Sequence, residues 1–356
     1  MLIFRYLAKE VLVTLIALTS ILLLIFMSNQ VVIYLNRAAS GIIPGMLVMK
    51  LMMLELPNLL SLLLPLGFYF ALLLAYGRLY AESEMTVLQA CGFGYGQLLK
   101  HSFIMALIVA CVTAAMIWMS PLIAYQRAKL LQTTGVQTLI QTIIPGRFRA
   151  IQNGQDVFYV ESMNHQHTKA HNLFLARSSE EQGKKQWDVL WADKAFVQTD
   201  RATGEAYLIL EEGRKYQGIP GQADYQIATF KRYQTRLPHP DMTVKNDIRT
   251  VSFVDLWPFN NNNLKKAAEL QWRISIPLMV FPLTLVGVPL SRVNPRAGKY
   301  AKLLPAIVLC VVYANFMFIS RNWIMAGKIP IWLGMWWLHG LVALLGLWLI
   351  WRNRGV

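Results

Sequence analysis

Charge is scarce in this chain, and acidic charge scarcest of all. Only 15% of the 356 residues are charged, and 19 Asp and Glu stand against 34 Lys and Arg, for a net charge of +15. A soluble domain carries about 25% charged residues, so a chain wetted on all sides is excluded. Cysteine is nearly absent. Cys91, Cys111 and Cys310 make no CxxC pair, and none lies in the polar middle, which excludes disulfide stapling there and thiol or zinc chemistry. No phosphate-binding GxxxxGK[ST] loop exists, because Gly183-Lys184, Gly298-Lys299 and Gly327-Lys328 are followed by Lys, Tyr and Ile and lack the upstream glycine. HExxH and GxSxG are missing as well, so neither ATP hydrolysis nor hydrolase chemistry is assigned to this chain.

What the chain has is hydrophobic length: 55% apolar residues and a mean hydropathy of +0.40. A helix needs about 20 apolar residues to cross a bilayer. Six runs qualify: Val11 to Leu35, Met46 to Tyr76 with Pro57 and Pro65 inside it, Ser102 to Ala124, Arg273 to Leu290, Leu303 to Ser320, and Ile331 to Trp351. The first run is longer than the 7–15-residue core of a secretion signal, which favours a retained span over a cleaved one. Sixteen Lys and Arg accompany fourteen acids in residues 128–255, leaving eighteen against five elsewhere. Basic charge on apolar segments points to a bilayer rather than to nucleic acid.

The expected fold is an α-helical membrane protein with six transmembrane helices in a 3+3 arrangement and an inserted β-jelly-roll domain. Its parts are helices one to three in 1–127, with a short helix at 80–92, a β domain at 128–258, and helices four to six in 259–356. Ten Lys and Arg flank the spans on the N-terminal side of the bilayer and four lie in the short connections opposite, so both termini are expected inside and the β domain outside. Trp187, Val189 and Trp191 alternate with Asp188 and Leu190, and short runs of the same kind recur at Val157–Glu161, Asn172–Ala176, Ala206–Leu210 and Tyr225–Phe230. Turn signals at Asn153-Gly154, Thr203-Gly204 and Pro220-Gly221 separate such strands into an antiparallel sandwich or jelly roll. Asn260 to Asn263 reads as a polar hinge.

Few polar residues suggest chemistry. Glu55 is the only acid well inside an expected span, and near the outer interface local pairing or hydration explains it better than a proton relay. His165, His167 and His171 have a ligand-like spacing but lack a fourth donor, so a solvated hairpin is the better reading. The tryptophans around the last two spans anchor interfaces. The inner connection Tyr80 to Gly92 reads as an amphipathic helix, with Met85, Leu88, Ala90 and Cys91 as its apolar face and Glu82 and Glu84 at its start. Acids there suit the helix dipole; equally, such a helix could dock in a groove of a cytoplasmic partner, its carboxylate meeting a cation.

The strings RYLAKE (5–10), LPLGFYFALLLAYGRLYAESEMTVLQACGFG (64–94), AELQWRISIP (268–277) and VPLSRVNPRAGKYAKLLP (288–305) resemble the LptF/LptG permeases, the membrane subunits of the lipopolysaccharide export ABC transporter of Gram-negative inner membranes. The RYL opening and the Glu82-Ser83-Glu84 form lie nearer the LptF side of that family. The resemblance implies pairing with an LptG permease, a cytoplasmic LptB ATPase dimer that holds the ATP and magnesium, an LptC helix threaded between the permeases, and delivery of lipid to an LptA bridge. It implies no cofactor bound by this chain and no nucleic acid. It carries the family's coupling helix onto residues 82–91 and its coupling glutamate onto Glu84, with Glu82, Met85 and Leu88 beside it. It also implies basic lipid contacts, although Asn29, Gln30 and Ile33 are uncharged where span one approaches its outer end.

A lipid with several acyl chains costs about 0.8 kcal/mol for each CH₂ exposed to water, so an export path needs an apolar lining throughout. Arg37, Arg273, Arg321 and Lys328 are the candidate outer-level cations for lipid phosphates; snorkelling to ordinary headgroups is the plainer reading for any one of them, and Arg37 and Arg321 are favoured because each caps a span that the resemblance places at the lateral opening. Trp191, Leu208 and Phe230 are the candidate lipid path through the β domain. Two other functions compete: a non-transporting envelope scaffold that uses the β domain for docking, and an ion-coupled lipid transporter. The role of the Asn294-Pro295-Arg296 loop does not follow from the residues beyond its topogenic charge.

Overall fold

The computed structural model describes residues 2–39, 43, 45–141, 145–151, 156–164, 169–181, 184–199, 206–219, 225–236, 248–257, 263–293 and 302–353. The three expected turns, His165, His167, the 260–262 part of the hinge and the Asn294-Pro295-Arg296 loop lie outside them. The chain divides into two compact units: Met1–Val32, Met49–Arg127 and Val244–Val356 in one, and Ile33–Val48 with Ala128–Thr243 in the other.

The first unit is built of helices. α1 (Leu2–Ala39), α2 (Gly45–Ala81), the short α3 (Glu84–Ala90) and α4 (Tyr95–Gln141) precede the β strands. After them come α5 (Phe253–Leu256), α6 (Leu264–Leu278), α7 (Val280–Leu290), α8 (Leu303–Met325) and α9 (Trp336–Asn353). Among the described residues, five stretches are long and apolar enough to cross a bilayer, with α6 and α7 counted as one, and α9 is a shorter apolar helix. The 38 residues of α1 extend about 57 Å at 1.5 Å per residue, well beyond a hydrocarbon core of about 30 Å. α2 continues through Pro57 and Pro65. Expected span six starts late: residues 331–335 are turns, because the Gln271 amide donates to the Ile331 carbonyl (2.6 Å) and accepts from the Met335 N–H (3.0 Å).

Helices gain little from hydrophobicity in a lipid solvent, so close packing must hold them. One apolar cluster joins Leu7 and Val11 of α1, Phe68, Leu72, Tyr76 and Leu79 of α2, Leu98 and Ala106 of α4, and Val280 and Val288 of α7. A second joins Tyr69 and Leu73 of α2 to Leu283 and Val286 of α7, Cys310 and Tyr313 of α8, and Leu338 and Val342 of α9. α2 therefore serves both clusters. α7 packs on α9 and α6 on α8. Gly346 lets α9 approach α7, since a β-carbon there would lie 2.6 Å from Leu285 Cβ.

The second unit holds β1 (Arg149–Ile151), β2 (Asp156–Met163), β3 (Lys169–Glu181), β4 (Lys184–Thr199), β5 (Ala206–Gly218) and β6 (Tyr225–Arg236). The expected antiparallel insert is present, and its described strands form one six-stranded sheet in sequence order. β4 runs 16 residues where the sequence suggests short runs. These strands pass through polar positions without ending. Pairing skips one line across the sheet, Glu161, Asn172, Asp193, Glu212 and Lys231, and Asn172 (φ 52°) and Glu212 (φ 54°) are left-handed there. Asn tolerates this conformation, and the Asn172 amide donates to Glu161. Across the line the face alternation switches, so Ala170 and Leu173, and likewise Ala192 and Ala195, belong to one apolar cluster.

Candidate functional site

The polar residues gather at opposite ends of the helical unit. At one end, α2 stops at Ala81 and Ser83 turns the chain in a left-handed conformation (φ 64°) into α3. The helix closes at Gly92 (φ 88°), where the Phe93 N–H donates back to the Leu88 carbonyl at 3.0 Å, a Schellman-type ending that favours glycine. Seven residues cannot sustain a helix in water, and packing supplies what is lacking. Met85 is fully buried in the first cluster with Leu7, Tyr80, Phe93 and Leu98, and Leu88 is half-buried against it. The expected docking face is therefore corrected: Met85 and Leu88 hold α3 to its own chain. Glu82, Ser83, Thr86, Val87, Ala90 and Cys91 are exposed.

Glu84 is half-buried, and the Tyr6 hydroxyl donates to its Oε2 at 2.6 Å. Arg78, in the last turn of α2, pairs with Glu10 of α1 (2.5 Å) and reaches Glu82 (3.9 Å). Sequence reasoning missed Tyr6 and Glu10 as partners, since they lie 78 and 68 residues from Glu84 and Arg78. Both nevertheless fall in the RYLAKE string. At the described ends of the inner loop, Lys302 Nζ donates to the Arg292 carbonyl at 2.5 Å. Burial, then Arg292 and Arg352, hold the Lys302 ammonium below the usual lysine range.

At the far ends of α6 and α8, Glu269 receives Arg273 Nε at 2.9 Å on one oxygen and Arg321 Nη2 at 2.5 Å on the other. Arg273 also donates to the carbonyls of Val251 (2.8 Å), Arg249 (2.9 Å) and Ile248 (3.3 Å), and its guanidinium lies over the Phe253 ring. Its side chain is 3% exposed. It therefore ties α6 to the segment before α5 and is withdrawn as a lipid-phosphate contact. Arg321 differs: its side chain is 18% exposed, it lies over the Trp272 ring, and among the described residues its Nε has no hydrogen-bond partner. One carboxylate between two guanidiniums leaves a positive charge in excess, which favours an anion at Arg321. Glu269 was not singled out from the sequence because the expected span began at Arg273. The i,i+4 spacing of the two residues was the available signal.

Arg37 and Lys328 are exposed. Lys328 is flanked by Gly327 and Ile329, which line an open groove of about 570 Å³ with Leu264, Gln271, Ile331, Trp332 and Trp336. Glu55 pairs with Arg127 of α4 at 2.5 Å and accepts from Asn58 at 3.3 Å, so its charged partner comes from another helix and not from the neighbouring turns of its own. On the sheet, Leu208 and Phe230 belong to the apolar cluster. Trp191 does not join them, because its strand neighbours Leu190 and Ala192 lie in that cluster and alternation turns it to the opposite face. It pairs with Phe174 and Arg214 and is 42% exposed. His171 is exposed, and no metal-ligand cluster occurs among the described residues.

The profile of the "Lipopolysaccharide export system permease LptF/LptG" family matches residues 5–352. The chain belongs to the LptF/LptG family. It is 33% identical over 315 residues to the "Lipopolysaccharide export system permease protein LptF" of Escherichia coli K12, covering 88% of this chain and 84% of that protein. The LptF of Shigella flexneri gives the same identity and coverage. An LptF/LptG member is a permease of the lipopolysaccharide export system, a transporter subunit. Helices sufficient to cross a membrane, with an antiparallel sheet between the third and fourth spans, agree with that role.

Proposed function

We propose that this permease forms one half of a pair with an LptG-type subunit. A partner LptB-type ATPase dimer, which holds the ATP and magnesium, drives it through α3 on the cytoplasmic side. The observation that carries this reading is the Tyr6-held Glu84 on α3, beside an exposed surface of Glu82, Thr86, Val87 and Ala90. A chain without a phosphate-binding loop must receive its work from outside, and a carboxylate on a docking helix can meet a partner's cation.

On this reading the chain sits in the Gram-negative inner membrane with both termini cytoplasmic and the sheet periplasmic. Lipopolysaccharide enters sideways from the outer leaflet. Arg321, Arg37 and Lys328 meet its phosphates, and the apolar sheet face bearing Leu208 and Phe230 takes its acyl chains toward LptC and the LptA bridge. Closure of the ATPase squeezes lipid upward rather than across.

The decisive experiment is Glu84→Lys in the reconstituted complex, read as lipopolysaccharide released from proteoliposomes. The charge reversal abolishes release while expression and insertion remain normal. Normal release by that variant overturns the assignment of Glu84.

A further inference from the structure

We propose that Tyr6 is the positioning residue for Glu84, and that α1, as well as α2, is moved when α3 is moved. The inference rests on the reading of Glu84 as the carboxylate that faces the ATPase. Tyr6 occupies only Oε2 of Glu84, at 2.6 Å. A carboxylate offers about four lone-pair sites on its two oxygens, so the bond leaves Oε1 for a partner's cation. A neutral donor preserves the negative charge while fixing the rotamer, which removes part of the ordering cost of docking.

The link does not stand alone. Glu10, one turn after Tyr6 on the same face of α1, pairs with Arg78, which also reaches Glu82. One face of α1 thus grips the bend between α2 and α3 at both ends, and Leu7 and Val11 share the first apolar cluster with Met85. Along the rest of its length α1 is weakly held by its own chain: only 17% of its apolar window is buried, against 61% for α2. A helix tied firmly at its first turns and loosely elsewhere follows whatever moves those turns.

The test uses the complex reconstituted with its ATPase and lipopolysaccharide, comparing Tyr6→Phe, Glu84→Gln and the double variant by lipid released per ATP hydrolysed. Tyr6→Phe is expected to lower that ratio about fivefold, the equivalent of one net hydrogen bond, with unchanged insertion and assembly. The double variant falls no further than Glu84→Gln alone. A second readout is the distance between spin labels at Leu2→Cys and native Cys91, with Cys111 and Cys310 replaced by Ala, which broadens in Tyr6→Phe. A wild-type ratio with a narrow distance distribution in Tyr6→Phe overturns the proposal. If Glu84→Lys blocks release under those conditions, only the role of Tyr6 is lost. If Glu84→Lys also releases lipid normally, the reading beneath it falls as well.

Discussion

Arg273 and Arg321 share one carboxylate, yet their surroundings assign them opposite tasks. Four acceptors surround Arg273, and truncating it takes the more deeply buried of Glu269's two partners and strands three carbonyls. Removing one partner of a buried pair costs about 3–5 kcal/mol, so Arg273→Ala should sharply lower the melting temperature in detergent. Arg321→Ala leaves Glu269 paired with Arg273, so its melting point stays close to wild type while capture of a photoreactive lipopolysaccharide falls. Equal melting losses in the two variants would contradict this division. The sequence made both arginines visible as outer-level cations, and only the resemblance set Arg321 ahead of Arg273. What separates them is long-range: Ile248, Arg249 and Val251 offer backbone carbonyls, which leave no mark in residue type. Glu84 was legible from a motif, and its partner Tyr6 was not, because one hydroxyl in an apolar helix has no periodicity to betray it.

Hydrophobic runs are the strongest signal a chain carries, and five of the six expected spans appear as helices long enough to cross a bilayer, with the sixth shortened. The break at Met279 between α6 and α7 left no such signal, since Pro277 alone could equally have been tolerated within one span. In the sheet, strand positions were readable from alternation, but the side of each residue was not. Left-handed Asn172 and Glu212 shift the phase partway along their strands, and a pattern of period two read straight through them assigns the wrong face. Trp191 was grouped with Leu208 and Phe230 for a different reason: Trp187, Val189 and Trp191 form the more apolar set of their strand, yet Leu190 and Ala192 are the ones in the cluster. Photocrosslinkers at Leu208 and Phe230 should therefore capture lipopolysaccharide in energised proteoliposomes, and one at Trp191 should not. Capture at Trp191 alone would reverse the choice of face.

For the whole molecule, orientation rests on charge asymmetry, ten cations against four in the short flanks, a bias that sets topology during insertion. Cys91, exposed at the end of α3, reports on it directly. A membrane-impermeant maleimide should label Cys91 in inside-out vesicles and leave it unlabelled in intact spheroplasts; the reverse pattern would place α3 outside and remove the ATPase from its reach. The double membership of α2 has a further consequence for how force spreads. Two apolar clusters with separate walls could shear past each other, so that a push at one end is absorbed locally. Here they have a wall in common: Leu72 and Tyr76 serve one cluster, Tyr69 and Leu73 the other. A load entering beside Met85 is shared between both halves of the helical unit at once, and the helices respond with one degree of freedom where two would otherwise exist.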